Sequence, residues 1–407
     1  MKEVSGGVCA PKGFKAGGIW CGIKASSKKR DLALIYSEKS CVAAAMFTVN
    51  RVKAAGVLLS REHIARGKLH AIVANSGNAN ACTGEAGLAA ARRMAELAAD
   101  EFALSPHDVA VCSTGVIGVP MPIAAIENSV GALANSLRGD EAGHAAALEA
   151  IMTTDTRMKY FSVEIEIKGI PVRIGGMAKG SGMMHPNMAT MLCFITTDAA
   201  IKRELLDKSL RRAVGRSFNR LTIDGDTSTN DTVIIMANGA SGAPLIDSEG
   251  GGYELFAEAL ESSCIKLARI MARDGEGAGK MITVTVSGAA DEDSAAILAK
   301  SVAASSLVKA AIFGADANWG RILCALGYSG AEFFPEQTNV RFKSAAGEIA
   351  VCASGSPLPF SEEQAKAVLS EEEIEILADV GTGSGRASAY GCDLTYDYVK
   401  INGDYRS

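Results

Sequence analysis

The period of the apolar positions changes repeatedly along the 407-residue chain. Short β-type runs at 32–36, 41–48 and 71–74 precede a stretch over 84–102 in which apolar residues recur at helical spacing. Strands and helices then alternate. The pattern predicts a strand over 108–112, helices over 122–137 and 141–152, and a hairpin of 161–167 with 172–177 that turns at Lys168-Gly169. A buried apolar run starts at Thr190 and reads as the next strand. After it come a strongly charged amphipathic helix over 202–218, a strand over 232–237, and a helix over 253–272 that Gly275 caps. Residues 281–287 alternate apolar and hydroxyl side chains and open a second unit, with helices near 294–303 and 319–326 and strands near 340–343, 348–351 and 389–401. Two domains are therefore expected, 1–280 and 281–407. Hairpins mixed with alternating elements argue against a doubly wound parallel sheet and predict an α/β (α+β) layered sandwich with a smaller C-terminal α/β domain.

Composition narrows the function classes. With 48% hydrophobic and 21% charged residues the chain has the makings of a full core. A net charge of -5 without a lysine and arginine cluster gives no footprint for nucleic acid, so a small-molecule substrate is favoured. The ten cysteines are scattered singly, without C-x-x-C pairs or histidines at metal spacing, and read as reduced core cysteines; no metal site is expected. The N-terminus lacks an apolar signal core, and no run approaches the roughly 18 apolar residues of a membrane helix. A cytoplasmic protein without membrane contact is expected.

The candidate chemistry centres on 179–195, KGSGMMHPNMATMLCFI. A glycine-rich, proline-containing approach reads as an exposed loop, and Thr190 sits where that loop meets the strand. A threonine there also satisfies plain strand preference. The chain holds five histidines but no G-x-S-x-G elbow and no H-E-x-x-H helix, so acyl chemistry needs another base. Cleavage after Ala189 would supply one: the α-amine of Thr190, titrating near about 8, takes the proton of its own hydroxyl. The same hydroxyl could perform that cleavage by an N-to-O acyl shift at the Ala189 carbonyl, followed by water attack on the ester.

Other segments allow a site or a plain turn. Residues 113–118, STGVIG, follow a predicted strand, and Gly115 lets backbone amides approach a ligand as an oxyanion site would require. Lys179 is a candidate carboxylate clamp or a solvated lysine. Residues 224–231, DGDTSTND, imitate a calcium loop, but Thr229 stands where its glycine belongs and Ile235 where its glutamate belongs, which favours a hydrogen-bonded turn supporting a site. Residues 381–386, GTGSGR, lack the lysine-hydroxyl ending of a P-loop and read as a flexible loop. In 273–280, RDGEGAGK, glycines flank Glu276, whose carboxylate would suit a cationic amine or simply face solvent.

Taken together, KGSGMMHPNMATML, TTDT at 153–156, STGVIG, DGDTSTND, ARDGEGAGK, NWGRI at 318–322 and the ending GCDLTYDYVKINGDYRS resemble the ornithine acetyltransferase family across almost the whole chain and in order. The resemblance implies self-cleavage between Ala189 and Thr190 into chains of 189 and 218 residues (407 − 189 = 218) that pair into an α2β2 heterotetramer. It implies transfer of acetyl from N2-acetyl-L-ornithine to L-glutamate in arginine biosynthesis, by a ping-pong route through an acetyl-Thr190 ester. No cofactor is implied, and acetyl-CoA is a possible co-substrate because some members accept it. Carried onto this chain, the oxyanion contacts fall on Thr114 and Gly115. Substrate contacts fall on Thr153, Lys179, Thr190, Glu276, Asn402 and Ser407. Ser407, Gly403 and Gly279 replace the family's usual threonine, alanine and threonine, which bears on how the tail closes the pocket. A self-processing aminopeptidase of the related fold would use the same threonine but release acyl groups to water, whereas a non-catalytic nucleotide- or metal-binding protein would use the glycine and aspartate loops.

Overall fold

The computed structural model describes residues 1–25, 27–185, 191–381 and 383–404. The described residues of Met1–Gly180, Asn187–Arg216 and Thr227–Leu267 form one compact unit, and those of Ser181–Pro186, Ser217–Asp226 and Ala268–Ser407 a second. The second unit thus begins before the expected boundary at 280 and takes in two earlier loops. Hydrogen bonds hold those loops there: the Ile223 amide donates to Met184 O, and the Thr222 amide to Tyr390 O.

The first unit carries a nine-stranded sheet of β1 (Lys2–Glu3), β2 (Phe14–Ile19), β3 (Leu32–Phe47), β4 (Lys68–Asn78), β5 (Val109–Val116), β6 (Lys159–Ile167), β7 (Ile170–Lys179), β8 (Leu192–Thr197) and β9 (Thr232–Ala237). Its order is β1-β6-β7-β8-β9-β3-β4-β5, with β2 also paired to β3. The two predicted runs at 32–36 and 41–48 prove to be one strand. The first half of β3 pairs with β2 and the second with β9, and its register with β4 shifts between Tyr36 and Cys41. A strand irregular at that point can serve both halves of the sheet. The predicted turn of the β6–β7 hairpin holds: Lys168 and Gly169 both have positive φ, 50° and 80°, as a two-residue hairpin turn requires.

Helices α1 (Ala55–Ala65) and α2 (Gly84–Asp100) bury one face against Leu32, Leu34, Ala71, Val73, Val109 and Val111, the outward residues of β3, β4 and β5. The predicted helix over 122–137 is two short ones, α3 (Ile123–Glu127) and α4 (Val130–Asn135). Ile126, Val130 and Leu133 stay buried in that same cluster across the break, which is why the periodicity reads as continuous. Alternate residues of the strands, including Ile35, Ile72, Cys112, Met177, Phe194 and Ile234, meet α5 (Glu141–Ile151) in an inner cluster formed by both halves of the sheet. Helices α6 (Arg203–Arg216) and α7 (Gly251–Arg273) follow, and Cys264 of α7 and Cys193 of β8 are both fully buried. The expected layered α/β sandwich is the architecture of this unit.

The second unit is built on a six-stranded sheet of β10 (Met281–Ala289), β11 (Asn339–Ser344), β12 (Gly347–Ala353), β13 (Ser356–Pro357), β14 (Glu373–Asp379) and β15 (Gly385–Cys392), ordered β13-β12-β11-β14-β10-β15. Helices α8 (Glu292–Ala304), α9 (Ser306–Phe313), α10 (Trp319–Gly327) and α11 (Glu362–Leu369) supply the rest of its core. The strand expected over 389–401 ends at Cys392, and α12 (Tyr396–Gly403) follows it. Tyr396, Tyr398, Val399 and Ile401 favour a strand, but the Thr395 hydroxyl accepts the Tyr398 amide as an N-cap, and the cap prevails over propensity. Among the described residues no single helix is long and apolar enough to cross a membrane.

Candidate functional site

In the first unit three of the sequence-derived site residues converge. Lys179, the last residue of β7, is buried, and its ammonium donates to Thr153 Oγ1 at 2.7 Å and to Thr114 Oγ1 at 3.3 Å. A hydroxyl that accepts from an ammonium has its own proton aimed elsewhere, available to a carbonyl or carboxylate oxygen. Thr114 and Gly115 lie at an irregularity where Asn78 of β4 pairs with both Thr114 and Val116. Gly115 has φ 133°, and a Cβ there would lie 2.4 Å from the Gly77 carbonyl carbon, so glycine is required for the two chains to approach.

Asp155 organises this cluster from behind. Its Oδ1 accepts the Gly180 amide and the Lys159 ammonium, both at 2.7 Å, and its Oδ2 accepts the Thr153 amide at 3.0 Å. Both side chains of the Asp155–Lys159 pair are fully buried. Burial opposes ionisation of Asp155, but the Lys179 and Lys159 ammoniums and the hydrogen bonds outweigh it and hold the carboxyl well below the usual carboxylate range. Lys24 adds a further cation nearby, donating to Met152 O at 2.7 Å and Arg30 O at 3.1 Å. Burial pulls its ammonium down to about 8, opposed by Asp31 and assisted by the charge of Lys179.

The segment once comparable to a calcium loop ends in a dense hydrogen-bonded turn. Asn230 Nδ2 donates to Ser113 O at 2.8 Å and Ala79 O at 2.7 Å, and Asp231 Oδ1 accepts the Met191 amide at 3.0 Å. Burial drives the Asp231 carboxyl well above its ordinary value, against the stabilising Met191 amide.

The second unit brings Glu276 and Asn402 together. Glu276 is buried, and its Oε2 accepts Asn402 Nδ2 at 2.8 Å; the same Nδ2 lies 3.0 Å from Tyr398 O one turn earlier in α12. The Glu276 amide donates to Ser181 O at 2.9 Å, and a Cβ on Gly182 would lie 2.2 Å from Glu276 Oε2. Asp224 fixes the same loop, accepting the Met183 amide at 2.5 Å, the Met184 amide at 2.8 Å and the Tyr398 hydroxyl at 3.2 Å.

Thr114, Gly115, Thr153 and Lys179 thus lie together in the first unit, and Glu276 and Asn402 touch in the second. Ala189, Thr190 and Ser407 lie outside the described residues. Sequence reasoning did not single out Asp155, Lys159, Lys24, Asn230 or Asp231. The aspartates and Asn230 were within quoted motifs, TTDT and DGDTSTND. Nothing local marks Lys24 or Lys159, whose roles arise only from tertiary burial.

The chain matches the ArgJ family over residues 15–407. It is 50% identical over 407 residues to the arginine biosynthesis bifunctional protein ArgJ of Caldanaerobacter subterraneus subsp. tengcongensis, with all of both chains covered. It is 51% identical over 408 residues to the protein of that name from Symbiobacterium thermophilum, again with full coverage of both. Among solved structures, the ornithine acetyltransferase of Mycobacterium tuberculosis complexed with ornithine is 39% identical, the match covering 45% of this chain and 95% of that chain with a TM-score of 0.42. The chain belongs to the ArgJ family, which bears out the resemblance drawn from its motifs, and it is an enzyme.

Proposed function

We propose that the chain moves the acetyl group of N2-acetyl-L-ornithine to L-glutamate through an acetyl ester of Thr190, after cutting itself between Ala189 and Thr190. The observation that carries this is the buried Lys179 ammonium bonded to the hydroxyls of Thr153 and Thr114, at the head of the segment that leads to Thr190. That arrangement suits an amino-acid substrate: a cation and oriented hydroxyls for a carboxylate, and an oxyanion donor beside them. Full-length identity to the ArgJ proteins supports the same chemistry.

In the first half-reaction Thr190 Oγ bonds to the acetyl carbon while its hydroxyl proton passes to the α-amine of Thr190. The Gly115 amide and the Thr114 hydroxyl face the developing oxyanion, the kind of stabilisation whose loss costs about a hundredfold to a thousandfold in rate. Collapse breaks the C–N bond, and the departing ornithine nitrogen takes the proton. In the second half-reaction the neutral amine of glutamate attacks the ester carbonyl, the bond from the acetyl carbon to Thr190 Oγ breaks, and one amine proton passes by way of the Thr190 α-amine to Oγ, giving N-acetylglutamate and the free hydroxyl. Lys179 and Thr153 hold the carboxylate common to both substrates, and Glu276, Asn402 and Ser407 are the further substrate contacts that the family resemblance implies. No cofactor takes part. Acetyl-CoA serves as a second acetyl donor, in keeping with the bifunctional naming of the relatives. The two chains pair as an α2β2 heterotetramer, and the enzyme works in the cytoplasm.

Acetyl exchange between labelled acetylornithine and glutamate tests this. N-acetylglutamate is the expected product, and free acetate in its place would point to a self-processing hydrolase. Formation of N-acetylglutamate from acetyl-CoA and glutamate alone tests the second donor.

A further inference from the structure

The turn that ends at Asp231 makes contacts beyond those a loop needs for its own folding. Met191 is pinned at both ends: its amide donates to Asp231 Oδ1 at 3.0 Å, and its carbonyl accepts the Thr232 amide at 3.0 Å. Asn230, the neighbour of Asp231, sends both amide protons to carbonyls of other segments, Ser113 in β5 and Ala79 after β4. The turn is itself anchored, with the Thr48 hydroxyl donating to Ser228 O at 2.7 Å and the Ala54 amide to Thr229 O at 3.0 Å. Asn230, Asp231 and Met191 are buried.

We propose that Asn230 and Asp231 are positioning residues of the acyl-transfer centre. Together they fix β5, which carries Thr114 and Gly115, and Met191, the residue after Thr190, to a single turn. This rests on the assignment of Thr190 as nucleophile. The distance between an attacking oxygen and its oxyanion donors has to be held to a few tenths of an ångström. A misplacement of about 1 Å costs about a hundredfold in rate. Side chains of adjacent residues gripping the two segments meet that need without touching substrate.

The chemistry of each side chain fits the role. The Asn230 amide must offer two protons to two carbonyls, which an aspartate cannot do. Asp231 uses one oxygen as an acceptor for the Met191 amide, and its Oδ2 is buried without a hydrogen-bond partner among the described residues. Burial pushes this carboxyl well above its ordinary value, and its contact with Met191 uses one acceptor oxygen. Asparagine at 231 keeps that oxygen, and alanine removes it.

The test compares Asp231→Ala, Asp231→Asn and Asn230→Asp with the wild type in two readouts: the rate of precursor cleavage on denaturing gels, and kcat and KM for acetyl exchange by the cleaved enzyme. Asp231→Ala and Asn230→Asp are expected to slow cleavage and lower kcat by about tenfold to a hundredfold with KM within about threefold. Asp231→Asn is expected to rescue most of the loss. An unchanged kcat in Asn230→Asp, or a loss in Asp231→Asn as deep as in Asp231→Ala, overturns the proposal. Should Asp231→Ala yield no folded protein, the kcat of Asn230→Asp decides alone. A wild type that neither cleaves nor exchanges acetyl would instead overturn the Thr190 assignment, so the two failures are distinguishable.

Discussion

Asn402 donates a 2.8 Å hydrogen bond to Glu276, tying α12 to the glycine-rich turn of 274–280. That bond orients the buried Glu276 carboxylate, proposed above as a substrate contact. Asn402→Ala is expected to lower kcat/KM for acetylornithine by about tenfold, the scale of one hydrogen bond to a charged group. Asn402→Asp should cost more, because two carboxylates would then face each other at the same distance. Steady-state kinetics of both variants check the order; an Asn402→Asp variant as active as wild type would contradict it.

Gly115 has both a positive φ and backbone in the place of its absent Cβ. Gly115→Ala is expected to destabilise the fold by on the order of 3 kcal/mol, because a clash with Gly77 backbone cannot be relieved by a rotamer change. Chemical unfolding measures the loss, and precursor cleavage should slow with it.

The Asp155–Lys159 pair predicts a pH dependence. The folded carboxyl ionises at lower pH than the unfolded one, so its contribution is complete above about 4 and is lost as the pH falls towards the folded value. Asp155→Asn should therefore be less stable than wild type at neutral pH, and the gap should narrow below about pH 4. At neutral pH, loss of one partner of a buried pair costs about 3–5 kcal/mol. A gap constant across that range would mean the carboxylate charge contributes nothing.

Much of this was legible in the sequence and some was not, for physical reasons. Thr114, Gly115, Thr153 and Lys179 stood out because glycines and hydroxyl residues flank predicted strands, but their meeting depends on contacts spanning 65 and 26 residues. The role of Asp155 needs Lys159, whose burial follows from its pairing opposite Ala178 across the β6–β7 hairpin. The break between α3 and α4 is hidden because the buried spacing continues through it. The helix at 396–403 is hidden because one capping hydroxyl overrides four strand-favouring side chains.

His144 gives a separate acid response. Its ring lies tilted against Tyr160 with centroids 4.7 Å apart, its Nδ1 accepts the Val8 amide at 3.4 Å, and burial pulls it down to about 4. Between pH 6.5 and 4 the unfolded chain binds a proton there that the folded one refuses, so stability falls as the pH drops through this window, by on the order of 3 kcal/mol. His144→Leu should be the less stable protein at pH 8 by about 1 kcal/mol, having lost the Val8 bond. Towards pH 4 the order should invert, which melting curves at the two pH values would show.

Intact-mass analysis of the purified protein, before and after incubation with N2-acetyl-L-ornithine and alongside Thr190→Ala, asks whether Thr190 is both the cut end and the acetyl carrier. Wild type is expected as two chains of 189 and 218 residues, the longer one gaining a single acetyl group that glutamate removes, while Thr190→Ala stays one uncut, unacetylated chain of 407. Acetyl exchange by an uncut wild-type chain, or by the Thr190→Ala variant, would contradict the account.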